Sequence, residues 1–485
     1  LTGRDKSDII IDITFLIKGK SFMGLKKGGF IELEITGMAF GGKGLAKVDG
    51  LTVFVEKAVP LDRIKARIVK KKKSFAEAVV VELLEPSPYR TNPPCEYSGY
   101  CGGCKWQFLQ YDRQLHYKRE HVEESLTHIG LIKDVPVQPV IPSEKIFGYR
   151  NKMEFSCSDR KWLIPSDFAT GEKSAGFALG LHVPGTFDKV LDIKACLLQP
   201  EEGNMILEDA KAFMKNSGAP PYGIKSHEGF WRFLMLRNSA ANGNWMVNII
   251  TSIENLKTVE PLAALLREKY PGVVSVINNI TSSKASVATG EHETVLAGSP
   301  YIKDKIGKFE FEISANSFFQ TNTLGAQILY EKVKEFAGLS GKETVLDLYS
   351  GTGTIPVFLS ADAGLITGLE IVESAVSDAK KNCRANGISN CTFVLGDIRE
   401  SLSKISEKPD VMIIDPPRAG MHKDVVKQVA DMAPRRIVYV SCNPATLARD
   451  LLVLKEHYEV KEVQPVDMFP HTWHIESVAR LEKRK

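Results

Sequence analysis

Asp347-Leu348-Tyr349-Ser350-Gly351-Thr352-Gly353-Thr354 closes the apolar run 344–348 with a glycine-bearing turn. Glycines after a strand let the backbone turn tightly and approach a nucleotide-like ligand. Glu370 lies 23 residues beyond Asp347, at the end of the next apolar run, 365–369. An acid at that distance holds a ribose diol. Further apolar runs at 391–395, 411–414 and 436–440 alternate with helical stretches, so the chain from 306 to 485 predicts an α/β, Rossmann-like parallel sheet. Runs near 458–467 and 475–482 predict an antiparallel hairpin at its edge. Asp397 and Asp415 end strands on the same side as Glu370, and a row of acids there suits adenosine and a cationic centre better than a pyrophosphate. S-adenosylmethionine is therefore favoured over NAD.

Working outward, Ile437-Val438-Tyr439-Val440 leads to Ser441-Cys442-Asn443-Pro444, in which Asn443 and Pro444 read as the cap and first turn of a helix. Cys442 then sits on a strand-to-helix corner, where the helix dipole is expected to favour the thiolate. Asp415-Pro416-Pro417 resembles the motif of amino-methyltransferases, but Arg418 stands where they carry a stacking aromatic. A cysteine beside a methyl donor suits covalent activation of an unreactive carbon such as uracil C5. Addition of the thiolate to C6 makes C5 nucleophilic, and a base must later remove the C5 proton. Glu476, in Pro470-His471-Thr472-Trp473-His474-Ile475-Glu476-Ser477, is the candidate, with His471 and His474 as competitors.

The 485 residues are 43% hydrophobic and 25% charged, with room for about three domains. A formal net charge of +4 argues little about partners, although Arg63, Lys65, Arg67 and Lys70 to Lys73 form a candidate phosphate-facing patch. No apolar run reaches the roughly 18 residues of a membrane span, and a cytoplasmic location is expected. Residues 1–22 read as a leader or extension, with Met23 as a candidate start. Short β-rich runs separated by glycine between 23 and 86 predict an OB-like barrel. Residues 108–130 read as an amphipathic helix, and 87–305 as an α+β domain. Cys95, Cys101, Cys104 and the distant Cys196 could hold a [4Fe-4S] cluster or a structural zinc; Cys157, Cys383 and Cys391 look structural.

Taken together, these motifs resemble the RNA 5-methyluridine methyltransferases, in particular the type that modifies 23S ribosomal RNA. The likeness runs from about Gly24 to Lys485 and includes Tyr149-Arg150-Asn151-Lys152, Phe318-Phe319-Gln320-Thr321-Asn322, the 347–354 turn, Asp415 to Gly420, Ser441 to Pro444 and the 467–476 tail. The resemblance implies a TRAM barrel, an iron–sulfur central domain and a C-terminal methyltransferase domain. It further implies Cys442 as nucleophile and Glu476 as proton acceptor. Gln320, Tyr349, Glu370, Asp415 and Asp397 would contact S-adenosylmethionine, and Cys95, Cys101, Cys104 and Cys196 would hold [4Fe-4S]. The implied target is a loop uridine of ribosomal RNA, since chemistry on a base edge needs the base out of its stack. A transfer-RNA enzyme and a non-catalytic RNA-binding assembly factor are the alternatives, and a monomer is expected.

Overall fold

The computed structural model describes residues 25–285, 287–405 and 407–485; the expected leader at 1–22 lies outside them. Six strands come first: β1 (Phe30–Glu34), β2 (Gly37–Met38), β3 (Gly44–Val48), β4 (Leu51–Glu56), β5 (Arg63–Lys71) and β6 (Phe75–Glu85). They pair in the order β1-β5-β6-β4-β3-β2. β1 and β2 are halves of one bent segment, the first paired with β5 and the second with β3, so the pairing runs round to where it began. Alternation in β1 turns Ile31 and Leu33 inward against Val53, Val55 and Ile64. On the outer side Arg63 pairs with Glu85 and Lys70 with Glu77, which leaves the basic patch partly neutralised by its own sheet.

Helix α1 (Tyr111–His128) follows. The middle of the chain contains β7 (Lys152–Arg160), α2 (Pro165–Ala169), β8 (Ala175–His182), β9 (Val190–Asp192), α3 (Glu201–Asn216), β10 (Trp231–Asn238), β11 (Trp245–Thr251), α4 (Leu256–Lys269), β12 (Val273–Ile280) and β13 (His292–Gly298). Its strands form one sheet ordered β13-β12-β11-β10-β7-β8-β9. The apolar faces of α3 and α4, including Ile206, Leu207, Leu262 and Leu266, share a core with that sheet.

A hairpin, β14 (Tyr301–Ile306) and β15 (Phe309–Ser314), leads into α5 (Thr323–Ala337). The last unit then alternates: β16 (Thr344–Leu348), α6 (Thr354–Leu359), β17 (Leu365–Glu370), α7 (Glu373–Ala385), β18 (Cys391–Leu395), α8 (Ile398–Ser401), β19 (Val411–Ile414), α9 (Lys423–Met432), β20 (Arg436–Ser441), α10 (Pro444–Leu454), β21 (Tyr458–Val466) and β22 (Glu476–Lys483). The sheet order is β18-β17-β16-β19-β20-β22-β21. Strands β16 to β20 are parallel, and β22 runs antiparallel between β20 and β21. From β16 the chain moves outward through β17 and β18, then returns to the other side of β16 as β19. Ligands of open α/β sheets bind at such a switch point, outside the carboxyl ends of the strands.

Packing assigns two segments differently from their place in the sequence. Val122 and Leu126 of α1 lie in the core of the C-terminal sheet with Leu447 and Leu451 of α10, and Val137 and Ile141 bridge to Val463 and Val466 on β21. Ile302, Ile306 and Phe311 of the β14–β15 hairpin pack into the other face of the same unit.

Candidate active site

A cavity of about 1190 Å³ opens above the carboxyl ends of β16, β17, β19 and β20 and extends to the cysteine-rich loop. Gln320, Tyr349, Glu370, Asp415, Cys442 and Glu476 all line it, and so do Cys95, Cys101, Cys104 and Cys196. Asp397 does not. It caps α8, its carboxylate is held by the Arg399 guanidinium and backbone amide, and it faces an adjoining 230 Å³ cavity shared with Tyr349 and Glu370.

The turn after β16 is built from backbone constraints. Glu370 accepts the Gly351 amide at 2.9 Å through one oxygen and the Ile371 and Val372 amides at 2.8 Å through the other. Gly353 has φ +75°, and a Cβ there would come within 2.9 Å of both Ala379 and Phe393, so only glycine fits between the turn and α7. Tyr349 also has a left-handed backbone, φ +67°, which is uncommon outside glycine.

Asp347 is a site residue that the sequence analysis missed. Both its carboxylate oxygens are buried without a hydrogen-bond partner, and the residue lines the cavity. Burial, then Asp415 and Glu370, push its carboxyl well above the usual range. Burial in that setting favours the neutral carboxyl, and a cation bound beside it would offset the burial and stabilise the carboxylate. The signal in the sequence was its place as the acid inside the first strand's end.

Cys442 and Glu476 meet through strand register. The last pair between β20 and β22 is Ser441 with Ser477; Cys442 and Glu476 adjoin that pair, both line the cavity, and Glu476 acts electrostatically on the Cys442 thiol. Asn443 caps α10 by accepting the Ala445 amide at 3.1 Å, with Pro444 in the first turn, as the spacing predicted. The expected preference for thiolate does not hold: burial, then Glu476 and Asp415, push the Cys442 thiol up to about 11, against the lowering effect of Arg418. The Asn443 side chain occupies a helix-end amide that would otherwise favour the anion, and two carboxyls stand nearby instead. Burial pushes Asp415 up to about 6. Glu476 is raised well above the carboxylate range by burial and then by Asp415, which makes it a stronger base once ionised.

Of the competing histidines, His474 lines the cavity, while His471 is absent from its wall and places Nδ1 3.2 Å from Gln114 Nε2. The tail that carries them is tied to the motifs of the middle chain. Tyr149 donates to Pro470 O at 3.2 Å, Asn151 to Gln320 O at 2.9 Å, and Asn322 to Met468 O at 2.9 Å. Beneath the tail, Lys118 of α1 donates to Asp467 at 2.6 Å, with both side chains fully buried.

Of the four clustered cysteines, Cys101 accepts the Gly103 amide on its sulfur at 3.4 Å, while the Ser98 and Gln199 amides donate to the backbone carbonyls of Cys95 and Cys196. Burial and then mutual repulsion push Cys101 up to about 11; for Cys104, burial is the largest cause of a rise to about 12. Among the described residues no three His, Cys, Asp or Glu side chains converge as a site for a single ion. None of the described helices is long and apolar enough to cross a membrane.

A family model described as tRNA (uracil-5-)-methyltransferase matches residues 274–484. An uncharacterized RNA methyltransferase of Chlorobaculum tepidum is 43% identical over 94% of this chain and 97% of its own. Another, from Bacteroides thetaiotaomicron, is 41% identical over 92% and 100%. Among solved structures, the Pyrococcus abyssi tRNA (uracil-54, C5)-methyltransferase in complex with S-adenosyl-L-homocysteine is 30% identical, with a TM-score of 0.73 over 93% of this chain and 100% of that one. Likeness of this extent, together with the paired cysteine and glutamate above a switch-point cavity, places the chain in the RNA uracil-5-methyltransferase family.

Proposed function

We propose that this protein methylates C5 of uridine in RNA with S-adenosylmethionine as donor, through a covalent bond between Cys442 and C6. The observation that carries this reading is that Cys442 and Glu476 adjoin the last β20–β22 pair and both line the acid-lined cavity. The donor supplies an electrophilic sulfonium methyl group. Glu370 and Tyr349 suit its adenosine, and Asp347 and Asp415 suit its positive charges. Cys442 adds to C6, the electron pair that develops at C5 takes the methyl group, Glu476 accepts the C5 proton, and the thiolate leaves. Arg418, beside Cys442 and Glu476, would favour anionic charge during the addition.

For the four cysteines we favour a [4Fe-4S] cluster over zinc, on the resemblance to the 23S ribosomal RNA methyltransferases. All four line the same cavity and offer an all-sulfur donor set of the kind such clusters use. The cluster would tie the loop at 95–104 to Cys196 and take no part in methyl transfer. The described N-terminal strands suit an OB-like, TRAM-type RNA-binding barrel.

For the target we favour a loop uridine of 23S ribosomal RNA, on the strength of the N-terminal strands and the cysteine set. A transfer-RNA target is the second reading, because the solved Pyrococcus abyssi tRNA (uracil-54, C5)-methyltransferase matches 93% of this chain. Incubating the protein and labelled donor with unmodified ribosomal and transfer RNA, then mapping 5-methyluridine by mass spectrometry, separates them. Methylation of large-subunit RNA is expected. Product only in transfer RNA would move the target, and no product in either would favour a non-catalytic RNA-binding role.

A further inference from the structure

Gln114 lies on α1, fully buried and outside the cavity wall, yet every polar atom of its side chain is engaged. Oε1 accepts the His471 amide at 2.8 Å. Nε2 donates to Trp106 O at 3.1 Å and Leu109 O at 2.8 Å, and lies 3.2 Å from His471 Nδ1. From the other side, the His471 carbonyl accepts the amides of both Lys105 and Trp106 at 2.9 Å, the two residues that directly follow Cys104. Phe147 stacks on the His471 ring at 4.3 Å. Two residues on, Trp473 packs edge-on against Phe40 at 4.6 Å, and a Cβ on Gly42 would lie 3.1 Å from it. Residues 105–114 and Phe147 thus meet on His471, residues 40–42 meet Trp473 beside it, and His471 is held in a left-handed conformation, φ +65°.

An apolar side chain would fill the Gln114 site at less desolvation cost; a fully satisfied buried amide instead fixes one geometry. The segment fixed here is the one that leads into Glu476. We propose that Gln114 is a positioning residue for removal of the C5 proton: it sets the backbone at His471, hence the approach of Glu476 to the methylated base, and links that step to the cysteine loop. The inference rests on Glu476 as proton acceptor. In the step concerned, the C5–H bond breaks and its proton passes to the Glu476 carboxylate. The electron pair restores the C5–C6 double bond, and the bond from Cys442 to C6 breaks to release thiolate. Gln114 touches the tail N-terminal to β22 and not the β20–α10 corner, so its loss acts on the approach of the Glu476 carboxyl and leaves Cys442, just beyond β20, in place.

Gln114→Met tests this in single-turnover reactions on the RNA that the parent protein methylates, with adduct followed on denaturing gels and methyl transfer by label. Formation and methylation of the adduct should stay within about threefold of the parent, while its decay slows about 10- to 100-fold and methylated adduct accumulates. Equal slowing of formation and decay, or an unchanged decay, would overturn the proposal. Glu476→Gln runs beside it: if that variant traps no adduct, the base assignment itself has failed; if it traps adduct and Gln114→Met does not, only the positioning role has failed. Should Gln114→Met not fold, Gln114→Glu keeps the acceptor for the His471 amide and should show the same selective slowing to a smaller degree. Its absence counts against the proposal.

Discussion

Replacing Lys118 by Met removes one half of a wholly buried ion pair. Lys118 Nζ donates to Asp467 Oδ1 at 2.6 Å and to Phe469 O at 3.0 Å. What remains for Asp467 is the Tyr111 hydroxyl at 2.9 Å and the Phe469 amide at 3.0 Å. Breaking a buried pair from one side costs about 3–5 kcal/mol, because the surviving charge is left without compensation. Those two residual donors place this site near the lower end, about 3 kcal/mol. For a unit of about 200 residues that is a fall in Tm of roughly 6–12 °C. Adding Asp467→Asn removes the stranded charge and keeps an acceptor for Tyr111, so the double variant should lose only about 1 kcal/mol, a coupling of about 2 kcal/mol or more. Scanning calorimetry of parent, both single variants and the double variant measures this. If Lys118→Met is as stable as the parent, or if the double variant is no better than Lys118→Met, the pair is not what anchors the tail.

With the Cys442 thiol at about 11, thiolate is the minor form at neutral pH and grows as pH rises, so kcat/KM should climb about tenfold per pH unit between about pH 6 and 9; a plateau reached by about pH 7 would contradict the burial argument. Asp347→Asn should weaken S-adenosylmethionine binding in equilibrium dialysis by about 10- to 100-fold, the worth of a hydrogen bond to a charged group, and unchanged affinity would remove Asp347 from the donor site. Protein purified without oxygen should carry about four irons per chain, and Cys196→Ser should lose them together with the brown colour; a colourless, zinc-loaded parent would sink the cluster.

The central strands of the C-terminal sheet could be read from sequence because β16, β19 and β20 are short apolar runs, and parallel strands buried on both faces leave that trace. Helix α1 was readable as a helix, but its partner was not. Gln114, Lys118 and His121 are polar residues on its buried side, so a face that looks solvated by composition in fact supports the tail. The state of Cys442 was misjudged for a related reason: Glu476 and Asp415 lie 34 and 27 residues away in sequence and reach the thiol only through sheet register. Asp347 went unnoticed because it served only to mark the distance to Glu370. The turn of β1 into β2, which brings the first sheet back to its own beginning, has no marker stronger than Thr36-Gly37.

The contact between Lys118 and Asp467 spans 349 residues. At about 5–20 residues per second of synthesis, the inward face of α1 waits roughly 17–70 s for its partner to leave the ribosome. During that interval the buried lysine is solvated and Val122 and Leu126 have none of their neighbours on α10. Over the same interval the helix has no partner on the C-terminal sheet. On the proposed mechanism, release of an adduct becomes possible only once the last strand carries Glu476 to the side of Cys442.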